Sequence, residues 1–303
     1  MRQEMRPFWK RLCMTLEMIK FEHSIFALPF ALTGALLAWF DSGFHIDGLW
    51  RRFGWIDVAM VSARSAAMTF NRLLDARVDA RNRRTEKRHL PAGLLSARFA
   101  WGFTIIACLV FLWAARALGS LCFALAPVAL AILFFYSFCK RFTSLSHLVL
   151  GFCLGIAPAA AWIAMRGSLD PRILWLTAAV MFWTAGFDVI YACQDFEFDC
   201  AEGLFSIPRR VGIANALRIA RLLHVAMIAC LIALVLVFHL GLLSFAGIAA
   251  VLILLIYEHG LVKPNDLSRV NAAFFTVNGY VSVLFFLFWA ADILRSHPRP
   301  LNF

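Results

Sequence analysis

Three potential metal ligands, Asn71, Asp75 and Asp79, recur every four residues within the stretch FNRLLDARVDARNRRTEKRHLPAG at 70–93. On an α-helix a step of four advances the direction by about 40°, so the three side chains share one stripe. A second stretch at 188–199, DVIYACQDFEFD, places Asp188, Tyr191, Asp195 and Asp199 at spacings of three, four and four, again near one helical face. Five aspartates and an asparagine are hard oxygen donors, with no Cys or His set competing, and hard oxygen suits Mg²⁺ or Mn²⁺. Mg²⁺ commonly takes one or two carboxylates and completes its shell with phosphate oxygens and water. Around the aspartates stand Arg72, Arg77, Arg81, Arg84, Lys87, Arg88, Lys140, Arg141, Arg209 and Arg210. Cations beside carboxylates, with room for metal between them, suit a diphosphate.

The elements that carry these groups are apolar. The chain has 303 residues, 62% hydrophobic and 16% charged, against about 45–50% and 25% for an ordinary soluble domain. Nine apolar segments can be drawn, at 24–40, 55–74, 99–117, 121–138, 147–165, 173–194, 217–239, 242–257 and 272–294. Each is near the roughly 20 residues that a bilayer requires. The expectation is an all-α polytopic membrane protein, 1–303 as one domain. The two acidic stretches end the second and sixth segments and are each followed by a basic loop with proline, Pro91 and Pro208. That echo suggests two four-helix halves plus a final helix, with the polar site shared between halves. Pro29, Pro127 and Pro158 fall inside segments and read as bends. Gly151, Gly155, Ala159 and Ala160 put small residues on the fifth segment, where helices can approach closely.

With nine spans, 21 of the 29 Lys and Arg fall on one set of ends and 7 on the other, Arg64 lying within the second segment. The bias predicts that the N-terminus and both acidic motifs face the cytoplasm, in the inner membrane of a bacterium. It also explains the net charge of +11 without nucleic acid, for which no aromatic-basic surface is present. The first apolar run is followed by no small-residue cleavage site, which does not read as a cleaved signal. Eight cysteines, none in a Cys-x-x-Cys pair, lie mostly in apolar runs and read as small hydrophobes rather than zinc ligands or disulfides.

A diphosphate bound at a membrane face, with an apolar body behind it, suggests a diphosphate on a lipid tail. An allylic prenyl diphosphate can lose its headgroup to give a carbocation. Metal and Arg or Lys would steady the leaving group, an aromatic face such as that of Tyr191 would steady the cation, and a dry cavity would keep water away.

Four motifs in order then resemble the UbiA superfamily of intramembrane aromatic prenyltransferases, over nearly the whole chain. They are Asn-x3-Asp-x3-Asp (Asn71, Asp75, Asp79), Arg-Thr-x2-Arg-x-Leu-Pro (Arg84, Thr85, Arg88, Leu90, Pro91), Tyr-x3-Lys-Arg-x-Thr (Tyr136, Lys140, Arg141, Thr143) and Asp-x2-Tyr-x3-Asp-x3-Asp (Asp188, Tyr191, Asp195, Asp199). The resemblance implies an all-helical fold, two Mg²⁺ ions between the acidic motifs, a polyprenyl diphosphate donor and an aromatic carboxylic acid acceptor. It is nearest to the 4-hydroxybenzoate polyprenyltransferase branch of ubiquinone and menaquinone synthesis. The stretch before the first span, IKFEHS at 19–24, departs from the Arg-x-Asp-Arg/Lys-Pro usual there. It looks instead like the subgroup that acts on 1,4-dihydroxy-6-naphthoate, so both acceptors stay open. A cation must hold the acceptor carboxylate, and Arg141, Arg64 and Lys20 are the candidates. Asn71, Asp75, Asp79, Asp188, Asp195 and Asp199 are the expected metal ligands, and Arg84, Arg88 and Lys140 the expected partners of diphosphate or acceptor. The rival readings are a haem or chlorophyll-precursor prenyltransferase and a secondary transporter of an anionic metabolite. Transporter sites tend toward the bilayer midplane, whereas these stripes lie at segment ends.

Overall fold

The structure is a computed structural model that describes residues 8–19 and 27–296. Twelve α-helices of the described residues are, in order, α1 Phe8–Met18, α2 Leu28–Asp41, α3 Leu49–Asp79, α4 Ala97–Leu118, α5 Ser120–Cys139, α6 Ser146–Arg166, α7 Leu174–Ala192, α8 Phe196–Glu202, α9 Ile207–Val211, α10 Ile213–Val237, α11 Leu242–Leu261 and α12 Asn278–Arg295. A π-turn, Ala272–Val277, leads into α12. No strand is present among the described residues, only one isolated bridge between Lys263 and Asp266.

Among the described residues the apolar segments fall on helices, most within a few residues of the expected ends. Among the described residues seven elements are long and apolar enough to cross a membrane: α4, α5, α6, the Pro171–Glu202 run containing α7, α10, α11, and Ala272–Arg295 containing α12. α2 is apolar but shorter, 14 residues, and the preceding residues 20–26 lie outside the description. α3 is the longest helix at 31 residues. It carries Arg51, Arg52, Asp57, Arg64, Arg72, Asp75, Arg77 and Asp79, which separates it from a simple lipid-facing span. Pro29 does not bend a span as expected. It sits in the first turn of α2, where its missing N–H is not needed. Pro127 and Pro158 do lie inside α5 and α6.

The described residues form two compact units, 8–19 with 55–138, and 27–54 with 139–296. In the first, α1 lies over the start of α4. Met18 and Ile19 share a buried cluster with Leu95 and Ala100, flanked by Met68, Leu73 and Leu90, and the Arg11 guanidinium sits 5.3 Å from the Phe99 ring centroid. This packs the loop at 80–96 against the end of α3.

In the second unit, α7 packs between α6 and α10, and α2 packs on α6 and α12. The contact units and the sequence echo thus divide the chain at different places. Close approach explains α2: Gly34 meets the backbone of Pro158 with no space for a Cβ. Gly151 likewise abuts the Met181 carbonyl, and a Cβ at Gly155 would stand 2.7 Å from the Thr177 carbonyl oxygen. Gly151 and Gly155 of the fifth segment therefore sit at the α6–α7 contact, whereas Ala159 is half-buried and Ala160 is exposed. Gly155→Leu is expected to destabilise by about 1–3 kcal/mol through overpacking, seen as an earlier thermal transition in detergent. Gly102→Ala, with nothing within 4 Å of the added Cβ, should hold or raise that transition.

One ion cluster ties the end of α2 to the α6–α7 connection. Arg172 Nη2 is 2.8 Å from Asp41 Oδ1 and 2.5 Å from Asp170 Oδ2, and its guanidinium covers Phe238. The hydrogen bond from Arg172 holds the Asp170 carboxyl below its usual range.

Candidate active site

In the first unit α3 runs unbroken to Asp79, so the Asn-x3-Asp-x3-Asp stripe exists as expected. Asn71 and Asp75 stand one turn apart, and Asn71 Nδ2 donates to Asp75 Oδ2 at 3.0 Å. The third member is differently engaged. Arg88 Nη1 reaches both Asp79 oxygens at 2.8 Å, and Arg72 Nη1 lies 4.0 Å from Asp79 Oδ2. The loop that follows folds back on the helix end. Thr85 Oγ1 donates to the Asp79 carbonyl at 3.0 Å, and the Arg84 amide donates to Asn82 Oδ1 at 2.9 Å, a local turn of the kind Asn favours. So Arg84-Thr85-x2-Arg88 is a clasp: Thr85 and Arg88 point inward while Arg84 is exposed. Arg64 is half-buried on α3, seven residues before Asn71.

The clasp makes a prediction. Arg88→Ala frees Asp79 and loosens the loop, and should lower turnover about 10-fold, the usual effect of losing a partner that orients a ligand. Arg88→Lys should recover part of it, since one nitrogen makes both contacts. Steady-state transfer by membranes carrying each variant checks this, and an unchanged Arg88→Ala enzyme would reduce the pair to a surface feature.

In the second unit the stripe is not one continuous helix. α7 ends at Ala192, the chain tightens into a 3₁₀ turn at Cys193–Asp195, and α8 follows at Phe196–Glu202. Three residues per turn replace 3.6, so Asp195 and Asp199 are rotated from where an uninterrupted α-helix would carry them relative to Asp188. Gly203, at φ 73°, ends α8 in the left-handed conformation that glycine adopts at least cost. Ser206 then caps α9, its side chain accepting from the Arg209 amide at 3.3 Å.

These turns fold the motif into a compact acidic corner. Asp195 and Asp199 are buried, Asp199 at 2% exposure. Ser206 donates to Asp199, and the charges of Lys140, Asp195 and His147 act on it. Its Oδ2 is buried without a hydrogen-bond partner among the described residues, an arrangement that costs stability unless a ligand supplies the missing partner. Lys140 is fixed at the corner because its carbonyl accepts the Phe205 amide at 2.8 Å. Arg141, next to it, is exposed.

His147 was not singled out by the sequence, yet it organises the corner. Fully buried, its Nδ1 lies 2.7 Å from Asp188 Oδ2. Its Nε2 faces the Ile207 amide at 3.4 Å. A backbone N–H can only donate, so Nε2 accepts and the proton resides on Nδ1, directed at Asp188. The imidazole thus links α7 to the turn entering α9. No local spacing could reveal it, because Asp188 is 41 residues away. Ser206 did leave a signal, a serine directly before Ile-Pro, the pattern of a capped helix start. Tyr191 lies against aromatic rings, with centroid distances of 4.2 Å to Phe274 and 6.0 Å to Phe275.

Lys20 lies outside the described residues. Among the described residues no three His, Cys, Asp or Glu side chains converge as a protein-only cation cage. The donor set nonetheless fits Mg²⁺. It is all oxygen, it includes the bare Asp199 Oδ2, and Lys140 stands beside it to meet an anionic co-ligand. Mg²⁺ completes its shell with phosphate and water.

Comparison with known proteins agrees with this architecture. The UbiA prenyltransferase family matches residues 27–292. The chain is 30% identical to 4-hydroxybenzoate octaprenyltransferase of Vibrio atlanticus, over 77% of this chain and 83% of that one. It is 30% identical to the protein of the same name from Pseudoalteromonas translucida, over 80% of each. A UbiA homolog from Aeropyrum pernix, solved in its apo form, superposes with a TM-score of 0.81 at 32% identity, covering 90% of this chain and 98% of that one. A UbiA homolog from Archaeoglobus fulgidus, solved with DMAPP and Mg²⁺, shares the fold with a TM-score of 0.71 at 22% identity, over 93% and 99%. An all-helical chain with both carboxylate motifs, their basic clasp and a match running nearly end to end belongs to the UbiA prenyltransferase family.

Proposed function

We propose that this membrane prenyltransferase moves a polyprenyl group from a polyprenyl diphosphate to a ring carbon of an aromatic acid. The acceptor is 4-hydroxybenzoate or 1,4-dihydroxy-6-naphthoate, and the product enters respiratory quinone synthesis. The observation that carries the reading is the buried acidic corner of the second motif, with Asp199 Oδ2 bare beside Lys140. The relatives named for 4-hydroxybenzoate favour the first acceptor, and the IKFEHS stretch favours the second.

Asn71, Asp75, Asp195 and Asp199 would hold Mg²⁺, with Asp79 and Asp188 helping. Bound there, the metal would supply positive charge to the diphosphate as it leaves. The chain's own residues do the rest. Arg84 and Lys140 add positive charge for the diphosphate, while Asp79 holds Arg88 and its loop in place. The allylic C–O bond breaks with its electron pair going to the diphosphate. The ring of Tyr191, flanked by Phe274 and Phe275, offers a π-face to the resulting cation. The acceptor ring carbon bonds to the prenyl C1, and the displaced ring proton passes to a carboxylate of the site. Arg141 or Arg64 meets the acceptor carboxylate. Both motifs serve the cytoplasmic face of the membrane.

Membranes carrying the protein, incubated with labelled prenyl diphosphate and each acid in turn, test the proposal. One prenylated acid is expected, its formation lost on chelation with EDTA and restored by Mg²⁺. Metal-dependent movement of a solute without product would overturn it in favour of transport.

A further inference from the structure

A group of buried polar side chains in the second unit lies outside both motifs. Trp183 on α7, Glu258 on α11 and Asn278 at the start of α12 are wholly buried, and His224 on α10 nearly so. They form one hydrogen-bonded chain. Trp183 Nε1 donates to Asn278 Oδ1 at 2.7 Å. An indole can only donate, which fixes the Asn278 amide and turns its Nδ2 the other way. Nδ2 meets Glu258 Oε1 at 2.8 Å and the carbonyls of Ala273 at 3.1 Å and Phe274 at 3.2 Å. His224 completes the chain, Nε2 lying 3.3 Å from the Trp183 carbonyl and Nδ1 3.0 Å from His259. It can lie that close to α7 because Gly186 leaves no Cβ in its way.

Those two carbonyls belong to the π-turn Ala272–Val277. π-turns are rare inside helices and leave the local ladder under-satisfied, and here the Asn278 amide takes up the carbonyls. The turn is also what presents Phe274, whose ring centroid is 4.2 Å from Tyr191 and 5.1 Å from Phe187. Were the extra residue of the turn squeezed out, residues before it would rotate by about 100°, and Phe274 would leave Tyr191.

We infer that Asn278, clamped by Glu258 and Trp183, is a positioning residue that fixes the π-turn so that Phe274 holds the Tyr191 ring of the second motif in place. The inference rests on the proposed function only in taking Tyr191 to face the reacting carbon.

Two measurements on the full-length protein in detergent test it: hydrogen exchange of the amides at 272–277, and steady-state prenyl transfer. Asn278→Ala should speed exchange across the turn and lower kcat about 10-fold while moving KM for the diphosphate less than about twofold. Glu258→Ala should follow it, and Glu258→Gln, which keeps an oxygen for the Asn278 amide, should recover both readouts. The double variant Asn278→Ala/Phe274→Leu should be no slower than Phe274→Leu alone, since residues acting through one another are not additive. Unchanged exchange at 272–277 in Asn278→Ala, or losses that simply multiply in the double variant, would overturn the inference. Should Asn278→Ala fail to fold, Phe274→Leu decides alone: an unchanged kcat overturns the inference, and a loss at constant KM supports it. A wild-type protein that transfers no prenyl group would remove the functional reading instead, and the exchange data would still judge the turn.

Discussion

Asp75→Ala and Asp195→Ala should each reduce prenyl transfer by about 10²-fold or more, the scale of losing one charge-stabilising group from a reacting centre. In the first unit Asp75 accepts from Asn71 at 3.0 Å, whereas Asp79 is occupied through both oxygens by Arg88. Removing Asp75 takes away the carboxylate that Asn71 orients on that stripe. In the second unit Asp195 is buried and lies within electrostatic reach of Asp199. Its loss removes one carboxylate of the corner and leaves Asp199 with Lys140 beside it. The two losses should resist added Mg²⁺, because a missing ligand weakens the reaction's electrostatics as well as metal occupancy. Asp266→Ala is the control: Asp266 is exposed in a turn and bonded to Ser268, and its loss should leave transfer unchanged. Radiolabelled product formed by membranes with equal amounts of each variant is the measurement. Wild-type rates in either Asp75→Ala or Asp195→Ala would end the proposed role of that motif.

How far the sequence carried is visible in those same residues. Helix periodicity placed Asn71 and Asp75 on one face because α3 is regular there, and apolar run lengths located the membrane helices because a bilayer admits few alternatives. What periodicity could not supply was any departure from 3.6 residues per turn. The 3₁₀ turn at Cys193–Asp195 and the π-turn at Ala272–Val277 both break the period, in opposite senses, and both lie at the site. Neither contains Gly or Pro, and the contact beside both, Tyr191 against Phe274, joins residues far apart in the chain. Pro29 shows the converse. Its type was informative, but only the true start of α2 revealed that it opens a helix rather than bending one. The clasp was legible as a motif while its division of labour was not. Arg84 and Arg88 are the same residue type four apart, and only the end of α3 at Asp79 decides which one turns inward.

His147→Ala should cost nearly as much as loss of an aspartate, about 10²-fold in turnover, although His147 touches neither donor nor acceptor in the proposed mechanism. The reason is what its ring joins. Nδ1–H holds Asp188 at 2.7 Å and Nε2 faces the Ile207 amide, so one buried side chain sets both the last turn of α7 and the start of α9. Ser206, which donates to Asp199, is the residue before Ile207. Without the imidazole, Asp188 loses its orienting donor and the Ser206–Ile207 turn loses its anchor, and partners that orient ligands in this way are typically worth 10–100-fold. The geometry also separates the two isosteres. Asn places an N–H donor near the position of Nδ1, whereas Gln reaches toward Nε2, so His147→Asn should retain several times the activity of His147→Gln. Purified variants compared for kcat and for Mg²⁺ requirement supply the check. Equal loss in Asn and Gln would mean that the imidazole acts by filling space, and full activity in His147→Ala would mean that Asp188 keeps its orientation without it.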